Sequence, residues 1–249
     1  MCFVKTAEDL GKISIACQIC RQIILRLISI IREGLTTADI NYEAERLMRQ
    51  YEVKPAFKGY RKYPCAVCVS VNEEVVHGIP SVHKKLSQGD IVSIDLGIIY
   101  DGYYGDCADT VGVGKIHPRH QLLIDTAYEA LRSGIRQAIA GNRVGDISAA
   151  IQSTVEARKF SVVREFSGHG IGKNLHEPPE VPNFGRPGQG ESLIENMVLA
   201  IEPMVNEGKA GIRIAEDGWT AVTVDGSWSA HCEETVLVFP GKAKVLTSI

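Results

Sequence analysis

The sequence predicts an α+β fold made of two similar halves, and three observations predict it. The order helix, helix, strands occurs twice, over roughly Thr6–Val113 and Pro118–Phe239. Within each half the strand-like runs are grouped instead of alternating with helices, the mark of α+β and not of a βαβ array. Between Ile91 and Thr110 an apolar run carrying Asp95 breaks at Asp101-Gly102 and resumes through Tyr103 and Tyr104 to Asp106, a hairpin signature. One domain over residues 1–249 is expected, and the space between the halves is a natural place for a site.

Taken in order, Thr6 caps a first helix whose apolar face is Ile13, Ala16, Cys20, Ile23, Leu27 and Ile31, with Gly34 as its stop. Gln18, Arg21, Gln22, Arg26 and Ser29 interrupt that stretch at helical spacing, so it reads as an amphipathic helix and not a membrane span. Thr36 opens a second helix striped by Ile40, Ala44, Leu47, Met48 and Tyr51. An aromatic loop over 55–64 leads to a strand over 66–71 and, past a turn, to Val75–Pro80. In the second half Pro118 sits at a first helical position, and that helix is expected to run to Gly141. Asp146 is expected to cap the next helix. A strand over 160–166, a Gly-rich turn at 167–172, a Pro-rich loop, a strand over 197–201, a hairpin over 212–224 and a last strand over 235–239 complete the pattern.

The 249 residues suffice for a sizeable core. A net charge of −3 gives no global attraction to nucleic acid or membranes. Lys54, Lys58, Arg61 and Lys62 form a local basic cluster, read as a solvated loop face, with a transient ribosome contact as the alternative. No secretory signal pattern is expected at the start of the chain, where Glu8 and Asp9 come early. The seven cysteines include two C-x-x-C pairs, Cys17/Cys20 and Cys65/Cys68. These stand much farther apart than the about 15–20 residues of a zinc ribbon, so they read as reduced thiols of a cytoplasmic protein.

Five donors stand in or beside strands: Asp95, Asp106, His169, Glu202 and Glu233. With a two-residue turn in the central hairpin, Asp95 lies opposite Ala108, and Asp106 falls on the same face as Asp95. A loop one residue longer would put them on opposite faces. Buried carboxylates must be paired or bind a cation. Singly, each donor has a structural explanation; together, four carboxylates and one imidazole without thiolates suit two divalent first-row ions, Fe, Mn, Co or Zn. Two such ions make hydroxide available near neutral pH.

The runs VNEEVVHGIP, GDIVSIDLG, DGYYGDCADT, SGHGIGKNLHEPP, AIEPMVN and CEETVLV resemble, in order and over nearly the whole chain, the type I methionine aminopeptidases of bacterial type. The resemblance implies the pita-bread fold, two pseudo-twofold halves around a curved antiparallel-rich sheet with helices outside. It also implies removal of the initiator methionine when the second residue is small. By motif, Asp95, Asp106, His169, Glu202 and Glu233 would hold the metals, Asp106 and Glu233 bridging, with Glu202 also shuttling the proton. His77 would contact the scissile amide nitrogen and His176 the substrate carbonyl oxygen. Phe57, Tyr60, Tyr63, Cys68, Leu175 and Trp219 would line the methionine pocket. The expected partners are N-terminal Met peptides and nascent chains, met by a cytoplasmic monomer without stable nucleic-acid or membrane binding. The alternatives are a proline-specific peptidase of the same fold, whose members usually carry a large extra N-terminal domain, and a metal-free binding module.

Overall fold

The computed structural model describes residues 5–248; Cys2 and the extreme ends of the expected domain lie outside them. The helices are α1 (Ala7–Ile30), α2 (Thr37–Gln50), α3 (Pro118–Ile135) and α4 (Val144–Ala157). The strands of the first half are β1 (Lys54–Pro55), β2 (Cys68–Val71), β3 (Glu74–Val76), β4 (Ile91–Tyr100) and β5 (Tyr103–Gly112). Those of the second half are β6 (Ser161–Val162), β7 (Ser167–Gly170), β8 (Glu177–Pro182), β9 (Val198–Ile201) and β10 (Met204–Asn206), then β11 (Ile212–Ile214), β12 (Ala221–Thr223), β13 (Ser229–His231), β14 (Glu234–Leu237) and β15 (Lys244–Val245). The α+β class and the paired helices of each half are as expected.

Thr6 and Thr36 open their helices through reciprocal bonds with Asp9 and Asp39, which satisfy backbone N–H groups left over at a helix start. By length and composition α1 could cross a membrane. Instead it lays Ala16, Cys20, Ile23, Ile24 and Leu27 into the core shared with β4, and it packs along β4 and β5. A second core, under α3 and α4, gathers Leu123, Ile147, Ile151, Leu199 and Val236.

Strand β4 pairs with β1, β2 and β5; the other sheets run β15-β14-β9-β7-β8, β13-β10-β6 and β11-β12-β3, and all pairings are antiparallel. Two of these sheets are joined by a kinked ribbon. Glu234 of β14 pairs with Ile201 of β9, and His231 of β13 pairs with Met204 of β10. Between them the ladder is interrupted at Glu202-Pro203 and Cys232-Glu233 without a change of register, and Pro203 has no N–H to donate.

Several expectations need correction. Helix α3 ends at Ile135, not Gly141, because Ile139 bridges Phe239 and the Gly141 N–H bonds Leu193. Asp146 lies inside α4, its carboxylate accepting the Arg143 N–H at 2.7 Å. The strand expected over 160–166 reduces to β6, and the Gly-rich 167–170 is itself strand β7. The Pro-rich loop contains strand β8, tolerated because β8 is a sheet edge where missing N–H groups leave no partner unmet. Cys65 lies in a bend ahead of β2, which starts only at Cys68.

Gly105 of β5 lets α1 approach: a Cβ there would stand 2.6 Å from the Ala16 carbonyl carbon and 2.7 Å from the Cys17 nitrogen. Gly105→Ala should therefore displace the helix and cost about 1–3 kcal/mol. Urea unfolding of the purified variant checks this, and an unchanged midpoint would contradict the close approach.

Candidate metal centre and substrate pocket

The hairpin fixes the first two carboxylates. Asp101 and Gly102 both have positive φ, 47° and 79°, as a two-residue type I′ turn requires. The register is then Asp95 opposite Ala108 and Asp106 opposite Gly97, which sets Asp95 and Asp106 diagonally on one face. On the other flank of β4, Cys68 of β2 stands opposite Asp95.

His169 enters from β7, between two glycines that allow close strand contact. A Cβ on Gly168 would meet Ala200 O at 2.4 Å, and one on Gly170 would meet Pro178 O at 2.3 Å. The ring Nδ1 donates to Gly170 O at 2.9 Å, which leaves the Nε2 lone pair facing the cavity. Burial lowers the His169 pKa to about 4, so the ring is neutral at pH 7 and able to ligate. Glu202 and Glu233 come from the two breaks in the kinked ribbon. Ligand atoms of Asp106, His169 and Glu233 all lie within 4.8 Å of one another. Asp95 and Glu202 line the same cavity outside that tight group, with Glu202 Oε1 3.5 Å from His169 Nε2.

The charges here are uncompensated. Among the described residues no lysine or arginine pairs with Asp95, Asp106, Glu202 or Glu233, and buried oxygens of Asp95, Asp106 and Glu233 have no hydrogen-bond partner. Burial, first of all, and then mutual repulsion push Asp106, Glu202 and Glu233 far above the usual carboxylate range; burial takes Asp95 to about 7. Their sequence neighbours show the contrast. Asp109 and Glu234 point to the other side of their strands and pair with Arg21. Unpaired hard oxygens around one neutral imidazole, with no thiolate in the group, fit divalent cations.

The cavity, about 220 Å³, extends from these donors into an apolar recess. All six expected pocket residues line it: Phe57, Tyr60, Tyr63, Cys68, Leu175 and Trp219. His77 has φ 61°, a conformation rare outside glycine, and its ring stands edge-on to Phe166 and Trp219. Gly78 beside it is wedged on β2, where a Cβ would meet Val69 O at 2.3 Å. His176 stacks obliquely on His169, ring centres 4.3 Å apart, and its Nδ1 is 2.8 Å from the Tyr60 hydroxyl.

Sequence reasoning missed Phe166, Met204 and Arg61, which also line the cavity, and His231, whose buried Nε2 is 3.8 Å from Glu202 Oε2. His231 was findable, since it lies two residues before Glu233 and two-residue periodicity puts both on one face. In the sequence Arg61 reads only as part of the basic loop cluster, and Phe166 and Met204 carry no pattern of their own.

Residues 11–239 match the family model described as metallopeptidase family M24. The chain is 48% identical over 216 residues to the methionine aminopeptidase of Clostridium acetobutylicum, covering 87% of this chain and 86% of that one. Its fold superposes on the crystal structure of methionine aminopeptidase from Thermotoga maritima with a TM-score of 0.97, at 45% identity and 99% coverage of both chains. An X-Pro aminopeptidase from the same organism shares the fold alone, with TM-score 0.78 at 24% identity, and this chain covers 63% of it.

Asp95, with a pKa of about 7, holds a proton for part of the time at pH 7, and the raised pKa values of Asp106, Glu202 and Glu233 likewise favour a bound proton that a cation would displace. Binding of Mn²⁺ or Co²⁺ to metal-depleted protein should therefore release protons at pH 7 and tighten as pH rises. Calorimetry in two buffers of different ionisation enthalpy counts them; binding heat independent of buffer would contradict the raised values.

Proposed function

This chain belongs to metallopeptidase family M24, with its pita-bread fold, and from that premise we propose how it removes the N-terminal methionine from peptides and nascent proteins whose second residue is small. The observation that carries the reading is a set of unpaired buried carboxylates around one neutral imidazole, opening directly into an apolar, aromatic recess. A metal-free binding module would have no use for such carboxylates, whose burial is costly without a partner.

In this reading Asp95, Asp106, His169, Glu202 and Glu233 would hold two divalent cations, Fe, Mn, Co or Zn, which would supply Lewis-acid polarisation of the carbonyl and hydroxide near neutral pH. Glu202, its pKa raised by burial and by Asp95 and Asp106, takes the proton of the attacking water and delivers it to the leaving amine. Tyr60 donates its O–H to His176 Nδ1, which leaves a proton on Nε2 to bond the substrate carbonyl oxygen as negative charge develops there. His77, neutral because burial lowers its pKa to about 4, contacts the scissile amide nitrogen. The thioether of the substrate lies against Tyr63, Trp219 and Cys68, where sulfur and aromatic edges attract.

The proposed setting is the cytoplasm, with one catalytic domain acting as a monomer without stable nucleic-acid or membrane binding. In the basic cluster Lys58 is tied to Glu45 at 2.7 Å, and Lys54, Arg61 and Lys62 remain exposed for a transient ribosome contact.

Met-Ala-Ser should be cleaved with added divalent metal and Ala-Pro should not; the reverse preference would favour a proline-specific peptidase. Asp106→Ala or Glu233→Ala should abolish turnover with circular dichroism unchanged, and full activity in either sinks the assignment. His176→Ala should lower kcat about 10²–10³-fold, a loss read directly in steady-state assays.

A further inference from the structure

Behind the acidic cavity, on the far side of the strands that carry its donors, lies a buried cation with no part in the chemistry described so far. Arg21 of α1 is 7% exposed. Its Nη1 pairs with Asp109 of β5, its Nη2 stands 2.8 Å from Glu234 Oε1 at the start of β14, and its Nε donates to Thr247 O at 2.7 Å. Asp109 also accepts the Tyr128 hydroxyl at 2.9 Å, and Glu234 accepts the Thr247 hydroxyl. Nε and Nη1 thus donate to fixed acceptors, and Nη2 makes a close ion contact with Glu234 without a well-directed hydrogen bond.

The placement matters because β5 and β14 belong to different sheets, tied by the bridge between Ala108 and Glu233 and by the Thr235 hydroxyl, which donates to Asp106 O at 2.7 Å. That bridge has one good bond, Glu233 N–H to Ala108 O at 2.8 Å, and one long one at 3.4 Å. On the cavity side of this junction stand Asp106 and Glu233, whose ligand oxygens lie within 4.8 Å of each other. Side-chain alternation puts Asp109 and Glu234 on the opposite side, where one bidentate cation draws the same two strands together.

We infer that Arg21 is a positioning residue: by clamping Asp109 to Glu234 it sets the separation of the Asp106 and Glu233 carboxylates and so the affinity of the site for divalent cations. The inference rests on the metallopeptidase reading. A lysine cannot replace the fork, since its single ammonium cannot hold two carboxylates and a carbonyl in one plane.

The test titrates metal-depleted full-length protein with Mn²⁺ by calorimetry, alongside steady-state cleavage of Met-Ala-Ser. Arg21→Lys should weaken Mn²⁺ affinity about tenfold or more and lower kcat at fixed metal, with KM changed less than about twofold, because the methionine recess lies on the cavity side. The double variant Arg21→Met, Asp109→Asn removes the clamp while leaving the net charge of the cluster unchanged, so it separates clamping from charge balance. It should stay weak; wild-type affinity in it would overturn the clamp. Should Arg21→Lys be too unstable to titrate, Glu234→Gln should show the same split at smaller size, and unchanged affinity there overturns the proposal. Failure of the wild-type protein to bind Mn²⁺ would overturn the metallopeptidase reading and this inference with it. Tight wild-type binding matched by Arg21→Lys overturns the clamp alone.

Discussion

The junction between the two halves is a place where the chain works against itself. Four carboxylates converge on one cavity; each resists burial, and Asp106, Glu202 and Glu233 also resist the company of the others. Such a cluster persists only where the surrounding structure overrides it. Here that structure is the backbone: β4 and β5 are long, paired over their full length and packed under α1, so Asp95 and Asp106 cannot turn away. The ribbon of β9–β10 against β13–β14 holds Glu202 and Glu233 in the same way, one at each break in the ladder. A divalent cation is what turns this repulsion into attraction.

Strand alternation then sorts charge into two compartments. Along β5, Asp106 faces the cavity and Asp109 faces Arg21; at the head of β14, Glu233 faces the cavity and Glu234 faces Arg21. In one compartment the carboxylates pair with an arginine, and in the other they are left without a cationic side-chain partner among the described residues. Had Arg21 pointed to the cavity, its guanidinium would have occupied the carboxylate oxygens that now lack partners.

Much of this was legible in the chain. The Asp-Gly turn fixed the hairpin register because a two-residue loop allows one pairing, and that pairing put Asp95 and Asp106 on one face. Thr6 and Thr36 announced their helices because the capping acid stood three residues on. What escaped depends on tertiary neighbours. The prolines of β8 read as a loop because nothing local says that the strand will be an edge. Strands β10 and β13, three residues each, are too short to show a period and exist through one another. Arg21 looked like a polar interruption of a helical face, since only the fold brings Asp109 and Glu234 to it.

The metal cage and the recess also carry different information. The X-Pro aminopeptidase shares the fold at low identity, so the fold cannot by itself choose the residue to be removed. That choice falls to the walls beside the cage. Cys68 faces the same side of the sheet as Asp95 because β2 pairs with β4 in that register, and Tyr63 stands edge-on to Trp219 at 5.1 Å. Tyr63 is held by its hydroxyl, which donates to Gly78 O at 2.9 Å, the residue next to His77. One hydrogen bond therefore ties the wall proposed for the thioether to the neighbour of His77, the histidine proposed to meet the scissile bond. The depth of the recess and the placement of the amide are set together, which is how a side chain bound several ångströms away can decide whether the peptide bond lies where it can be cut.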